Sequence, residues 1–160
     1  MTTSQIPRGL IDTNIMILRA LIAPDELPDE MAISAVTLAE LSAGPHQVRP
    51  DCEQNVYFEA AERARRLDVV QRAEHEFDPV PFDAEAARAY GRVTAAVIAV
   101  GRKPRRGAVD LMIAATALAS GLALFTTNPD DYAGLEGLIT IVPVSRPEVP
   151  AGRDAPGDRR

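Results

Sequence analysis

The chain has 160 residues, 46% hydrophobic and 25% charged, enough for one globular domain with a substantial core and too little for two. Its single cysteine, Cys52, excludes an intramolecular disulfide and a cysteine-rich zinc centre, and His46 and His75 belong to no HExxH or Ser/His/Asp grouping. A formal net charge of −6 argues against a general nucleic-acid-coating protein, whose affinity rests on neutralising phosphates.

Residues 8–12 read as a short strand, and 14–23 as a helix that stops before Pro24. A second strand is expected over 31–35, then a helix over 36–43 closed by Gly44 and Pro45. Residues 51–76 are rich in Ala, Glu and Arg, with Val56, Ala60, Ala64, Leu67 and Val70 at helical spacing, so they predict an amphipathic helix. A third short strand is expected over 79–82, and Asp83 caps a helix running to about Val100. A basic loop over 101–107 leads into a small-residue helix over 108–120 that Gly121 ends. The continuous apolar runs 122–126 and 139–144 suit strands covered on both faces. Alternation of this kind predicts an α/β fold of three layers, α/β/α, around a short, mostly parallel sheet. Residues 1–145 are expected to form that single domain and 146–160 a flexible tail. With no apolar run of about 18 residues and a polar start before Leu10, no membrane span or signal peptide is expected, and the protein reads as cytoplasmic.

Four acids stand just past or inside hydrophobic stretches. Asp12 follows Gly9, Leu10 and Ile11; Glu40 lies between Ala39 and Leu41; Asp110 precedes Leu111, Met112 and Ile113; Asp131 comes shortly after Leu124, Phe125 and Thr126. Burying a carboxylate without a partner is costly, and gathering several adds like-charge repulsion. The sequence has one lysine, Lys103, and no arginine adjacent to any of the four acids, so a bound metal is the natural counter-charge. In an open α/β sheet the ligand crevice lies outside the carboxyl ends of the strands, an address all four acids can share. Each also has an ordinary role open to it. Asp12 can cap a helix, Asp110 can sit favourably in a first turn, Thr37 and Glu40 fit a capping box, and Asp131 can be a turn residue.

Oxygen donors without His or Cys suit Mg²⁺ or Mn²⁺, ions that polarise a phosphoryl oxygen and activate water for phosphodiester hydrolysis. Thr13, Asn14, Thr37 and Asn128 add neutral groups that can orient a water or a phosphate, although Thr13 and Thr37 serve equally well as cap and turn residues.

Four blocks carry a family resemblance: Leu10-Ile11-Asp12-Thr13-Asn14, then Ile33 to Leu41 with Glu40, then Val109 to Leu118 with Asp110, then Leu124 to Tyr132 with Asp131. In this order they resemble the PIN-domain ribonucleases, specifically the VapC-type toxins of bacterial toxin–antitoxin pairs, over about residues 8–144. The resemblance implies a Mg²⁺- or Mn²⁺-dependent endoribonuclease that leaves a 3′-hydroxyl and a 5′-phosphate. It implies a homodimer, held inactive by a VapB-like antitoxin. It also implies that Asp12, Glu40, Asp110 and Asp131 are the catalytic and metal-binding acids, with Thr13 and Asn128 in support. Asp130 adjoins the fourth acid, and Asp131 is preferred because it precedes the aromatic Tyr132.

Other classes fit less well. A haloacid-dehalogenase-like phosphatase needs a second Asp where Asn14 stands, and a receiver-like, non-catalytic Mg²⁺-binding module needs a lysine where Thr126 and Thr127 stand. A housekeeping PIN nuclease would share every feature of the site. Residues 86–109 hold six basic side chains and no acid, and Arg102, Lys103, Arg105 and Arg106 among them are candidates for RNA phosphates. For the antitoxin, the apolar residues Ile15, Leu18, Leu21, Ile22, Leu38 and Leu41 offer a surface for an amphipathic helix, if they are not simply core.

Overall fold

The computed structural model of the protein describes residues 6–49 and 56–148. Strands β1 (Arg8–Ile11), β2 (Glu30–Ala32), β3 (Ala123–Thr126) and β4 (Ile141–Pro143) form one parallel sheet in the order β2-β1-β3-β4. Helices α1 (Thr13–Leu18), α2 (Ala35–Ala43), α3 (Val56–Glu76), α4 (Ala84–Ala99) and α5 (Ala108–Ser120) cover its faces. The expected α/β architecture is therefore present.

Side chains alternate across each strand, and that alternation divides the core in two. Leu10 and Leu124 join Val93 and Val97 of α4 and Leu111, Ile113 and Ala114 of α5. Their neighbours Ile11 and Phe125 point the other way, to Ile15 of α1, Leu41 of α2 and Ala73 of α3. A methyl group on Gly9 would stand 2.3 Å from the Phe125 ring, so the two central strands meet here over a position that admits no side chain.

Several expected elements are shorter than their sequence pattern. The helix after β1 ends at Leu18 and continues as a single 3₁₀ turn, Arg19–Leu21, because Ala23 precedes Pro24 and is held extended. The strand expected over 79–82 is a single parallel bridge, Ser34 to Val80. Pro79 and Pro81 have no amide hydrogen and flank Val80, whose amide donates to Ile33 at 2.9 Å, so the ladder does not extend to either side of it. The apolar stripe expected on α3 also needs correction. Ala60, Ala64 and Leu67 are exposed, Ala73 is buried, and Val69 and Val70 pack on the core. Next to the exposed alanines, Arg63 and Arg66 donate to the carbonyls of Pro45 and Gly44. Residues 51–55 of that expected helix, and 149–160 of the expected tail, lie outside the described residues. Ser145, at the end of the expected domain, donates through its amide and hydroxyl to Glu26 at 2.9 and 2.7 Å. Among the described residues no helix is long and apolar enough to cross a membrane.

Candidate active site

The strand order changes direction between β1 and β3, so the chain departs to opposite sides at their carboxyl ends and leaves a crevice there. Asp12 stands at its base, buried at 5% exposure, with its amide donating to the Phe125 carbonyl at 3.1 Å. Its side chain caps α1 by accepting from the Ile15 amide at 3.0 Å, so the ordinary capping role is real. Capping does not offset the burial. Desolvation raises the Asp12 pKa and Asp131 adds to the rise, against hydrogen bonds from Thr126, Ile15 and Asn14 that lower it.

Glu40 reaches the crevice from α2. The capping box expected between Thr37 and Glu40 does not form. Ser34 is the N-cap, accepting from the Thr37 amide at 2.9 Å, and Thr37 is a fully buried first-turn residue whose hydroxyl takes a hydrogen bond from Ser34 at 3.1 Å. This frees Glu40, one turn further on, to accept a hydrogen bond from the Thr13 hydroxyl. Asn14 is exposed at the start of α1.

Asp110 lies in the first turn of α5, whose helix begins at Gly107 with φ of 96°, a backbone conformation that suits glycine. Its carboxyl is pushed up to about 6, first by burial and then by Asp131, Glu40 and Asp12, with Arg102 opposing. The other three acids thus lie close enough to Asp110 for their charges to act on it. Asp131 belongs to a 3₁₀ turn, Pro129–Tyr132, where Asn128 donates to its carboxylate at 2.8 Å; Asp130 is exposed beside it.

Two residues of the crevice escaped the sequence reading. Thr126 is fully buried at the end of β3, bonds Asp12, and accepts from the Asn128 amide at 3.0 Å. The polar end of an otherwise apolar run was its only signal. Tyr132 is 1% exposed, its hydroxyl has no hydrogen-bond partner among the described residues, and burial together with Asp110, Asp12, Asp131 and Glu40 raises its pKa. Nothing in an aromatic after an acid distinguishes a core ring from one whose hydroxyl stands in the field of four carboxylates.

The basic loop is less uniform than its sequence. Lys103, Arg105 and Arg106 are exposed, whereas Arg102 is half-buried and donates to the carbonyls of Asp131 and Ala133. Of the expected partner surface, Ile15, Ile22 and Leu41 are core residues, and Leu18 and Leu38 pack against that core. Leu21 is 47% exposed, as is its neighbour Ile17 at 50%.

Residues present fit a hard divalent cation in chemistry. They offer four carboxylates, two of them with raised proton affinity, and an unpartnered buried hydroxyl. Among the described residues no three of these side chains are already gathered as a metal cage, so an ion would have to draw the carboxylates inward.

The fold and this crevice define a class. Residues 10–137 match the PIN domain, and the chain belongs to the PIN-domain family. It is 32% identical over 139 residues to ribonuclease VapC5 of Mycobacterium tuberculosis, covering 83% of this chain and 91% of that protein. Its structure is similar to the crystal structure of VapBC-5, a member of the VapBC family of toxin–antitoxin systems from Mycobacterium tuberculosis. The TM-score is 0.70 at 29% identity, covering 88% of this chain and 99% of that one. DNA-bound VapBC from Salmonella typhimurium shares the fold, with a TM-score of 0.60 at 24% identity over 86% of this chain and 97% of that one.

Proposed function

We propose that the protein is a divalent-metal-dependent endoribonuclease and the toxin of a toxin–antitoxin pair, acting on RNA in the cytoplasm. The observation that carries this reading is the crevice where Asp110 is pushed up to about 6 by burial and three further acids. The likeness to ribonuclease VapC5 over 83% of the chain supports the choice of RNA.

Asp12, Glu40, Asp110 and Asp131 would hold Mg²⁺ or Mn²⁺. When bound, the ion supplies Lewis-acid activation of the scissile phosphate and of water. The chain's own residues do the rest. Thr13 fixes Glu40, and Asn128 fixes Asp131, so neither carboxylate swings freely. Burial of Asp12 and Tyr132 keeps the crevice poor in bulk water, which strengthens every charge interaction inside it. Lys103, Arg105 and Arg106, exposed on the loop that leads into α5, are placed to draw RNA phosphates towards Asp110.

The crowded acids also suit an inhibitor. A cationic side chain from an antitoxin would relieve the same repulsion that a metal does, so antitoxin and metal should compete. Ile17 and Leu21, exposed on one face beyond β1, give an amphipathic antitoxin helix an apolar hold. A homodimer bound to a VapB-like antitoxin is the expected assembly.

The test is RNA cleavage by purified protein with Mn²⁺ and with EDTA, alongside growth of cells expressing the chain with and without the small protein encoded beside it. Metal-dependent cleavage and growth arrest relieved by the neighbour are expected. Cleavage without any effect on growth would assign a housekeeping nuclease, and metal binding without cleavage a non-catalytic module.

A further inference from the structure

We propose that Arg102 is a positioning residue for Asp131 and not an RNA contact, a reassignment that rests on the nuclease reading above. Its guanidinium makes three hydrogen bonds to one loop. Nη1 donates to the carbonyls of Asp131 at 3.1 Å and Ala133 at 2.8 Å, and Nη2 donates to the Asp131 carbonyl at 3.1 Å. The Arg102 amide donates to the Val97 carbonyl at 3.1 Å, so the grip is anchored to the end of α4. Among the described residues Lys103, Arg105 and Arg106 form no side-chain hydrogen bond or ion pair, and all three are exposed. One arginine of the basic loop is therefore built into the protein while its neighbours face solvent.

The choice of acceptor is informative. A guanidinium close to the Asp110 and Asp131 carboxylates would ordinarily take a bidentate carboxylate partner. Arg102 forms no ion pair among the described residues and binds main-chain oxygens instead, leaving the Asp131 carboxylate to Asn128 at 2.8 Å and to a ligand. The Asp131 amide closes its turn on the Asn128 carbonyl at 3.2 Å, and Arg102 and Asn128 hold its other polar groups. Asp131 sits in a four-residue 3₁₀ turn, Pro129–Tyr132, shortly before Gly134, whose φ is 94°. Held at its carbonyl by Arg102 and at its carboxylate by Asn128, the residue is defined from both ends. The charge of Arg102 also acts on the crevice without filling it, opposing the rise at Asp110.

The experiment compares Arg102→Gln and Arg102→Lys with the wild type and with the combined Lys103, Arg105 and Arg106→Ser variant. Calorimetry reads Mn²⁺ affinity, and steady-state kinetics read kcat and KM for RNA. Arg102→Gln is expected to weaken Mn²⁺ binding about tenfold and lower kcat about tenfold or more, with KM and the salt dependence of RNA binding unchanged. Arg102→Lys, which keeps the charge but loses the fork, is expected to recover only part of both. The combined loop variant is expected to raise KM and flatten the salt dependence. On an Asp131→Asn background Arg102→Gln should add much less than on the wild type, because its positioning action passes through Asp131 and only its direct charge on Asp110 remains. A raised KM and flattened salt dependence in Arg102→Gln, with Mn²⁺ affinity intact, would make Arg102 a phosphate contact and overturn the inference. So would an equal loss on the Asp131→Asn background. A wild type that binds Mn²⁺ but cleaves no RNA sinks the nuclease reading alone, since the calorimetric comparison still decides Arg102; a wild type that does neither sinks both.

Discussion

At the carboxyl end of the sheet the chain crowds Asp12, Glu40, Asp110 and Asp131 into one crevice, whereas at the amino end Ala117, Leu124 and Ile139 are buried in the core with Leu118, Leu122 and Leu138 packed against them. Both ends are built from the same strands. One end gathers groups that repel each other and are poorly hydrated; the other buries surface that water disfavours. Stability and chemistry are thus separated along the strand direction by roughly the length of β3, and the crevice draws on a reserve supplied elsewhere in the core.

Truncation at the amino end should give the largest change in stability. Ile139 is 5% exposed, and Ile139→Ala is expected to cost about 3 kcal/mol and lower Tm by roughly 6–12 °C. Melts should still respond to Mn²⁺. Loss of that response in Ile139→Ala would mean the two ends are not separable.

Next in size is the metal itself. At about 100 times its dissociation constant Mn²⁺ should stabilise the wild type by about 2.7 kcal/mol through mass action, and Asp12→Asn should remove most of that shift. A wild-type melt that ignores Mn²⁺ would leave the carboxyl end without its counter-charge.

Smaller again is the repulsion measured at one acid. The Asp110 carboxyl binds its proton up to about 6 in the folded state against an ordinary value of 3.8. Between those values the folded protein holds a proton that the unfolded chain has lost, so stability falls as pH rises through the window and the penalty is complete above it. Asp110→Asn should therefore raise the stability of EDTA-treated protein at pH 7.5 by on the order of 1 kcal/mol, discounted for the part exposure of the group. The gain should vanish near pH 4. A gain independent of pH would point to packing and not to charge.

Much of this arrangement was legible in the sequence, for identifiable reasons. Continuous apolar runs at 122–126 and 139–144 carry the signature of buried parallel strands, and glycines at 107 and 121 bracket α5. The acids stood out because each lies just past or inside an apolar stretch. What escaped depends on partners far away in the chain. On α3 the face turned to the sheet is set by Val69, Val70 and Ala73, while Arg63 and Arg66 contact carbonyls near residue 45 that no periodicity encodes. Arg102 looked like its basic neighbours because hydrogen bonds to carbonyls near residue 132 leave no trace in composition. The expected strand at 79–82 overlooked what two prolines do to a ladder.

The most direct measurement is RNA cleavage by the wild type and by Asp12→Asn, in Mn²⁺ and in EDTA, with folding of both verified by thermal melts. Asp12 is the most buried of the four acids and feels both the cap of α1 and the field of Asp131. Cleavage should be abolished by EDTA and fall at least about a hundredfold in Asp12→Asn, an effect of the size expected when a stabilising charge is removed from an active site. Full activity of Asp12→Asn, or cleavage undiminished by EDTA, would contradict the assignment of this crevice as a metal-dependent nuclease site.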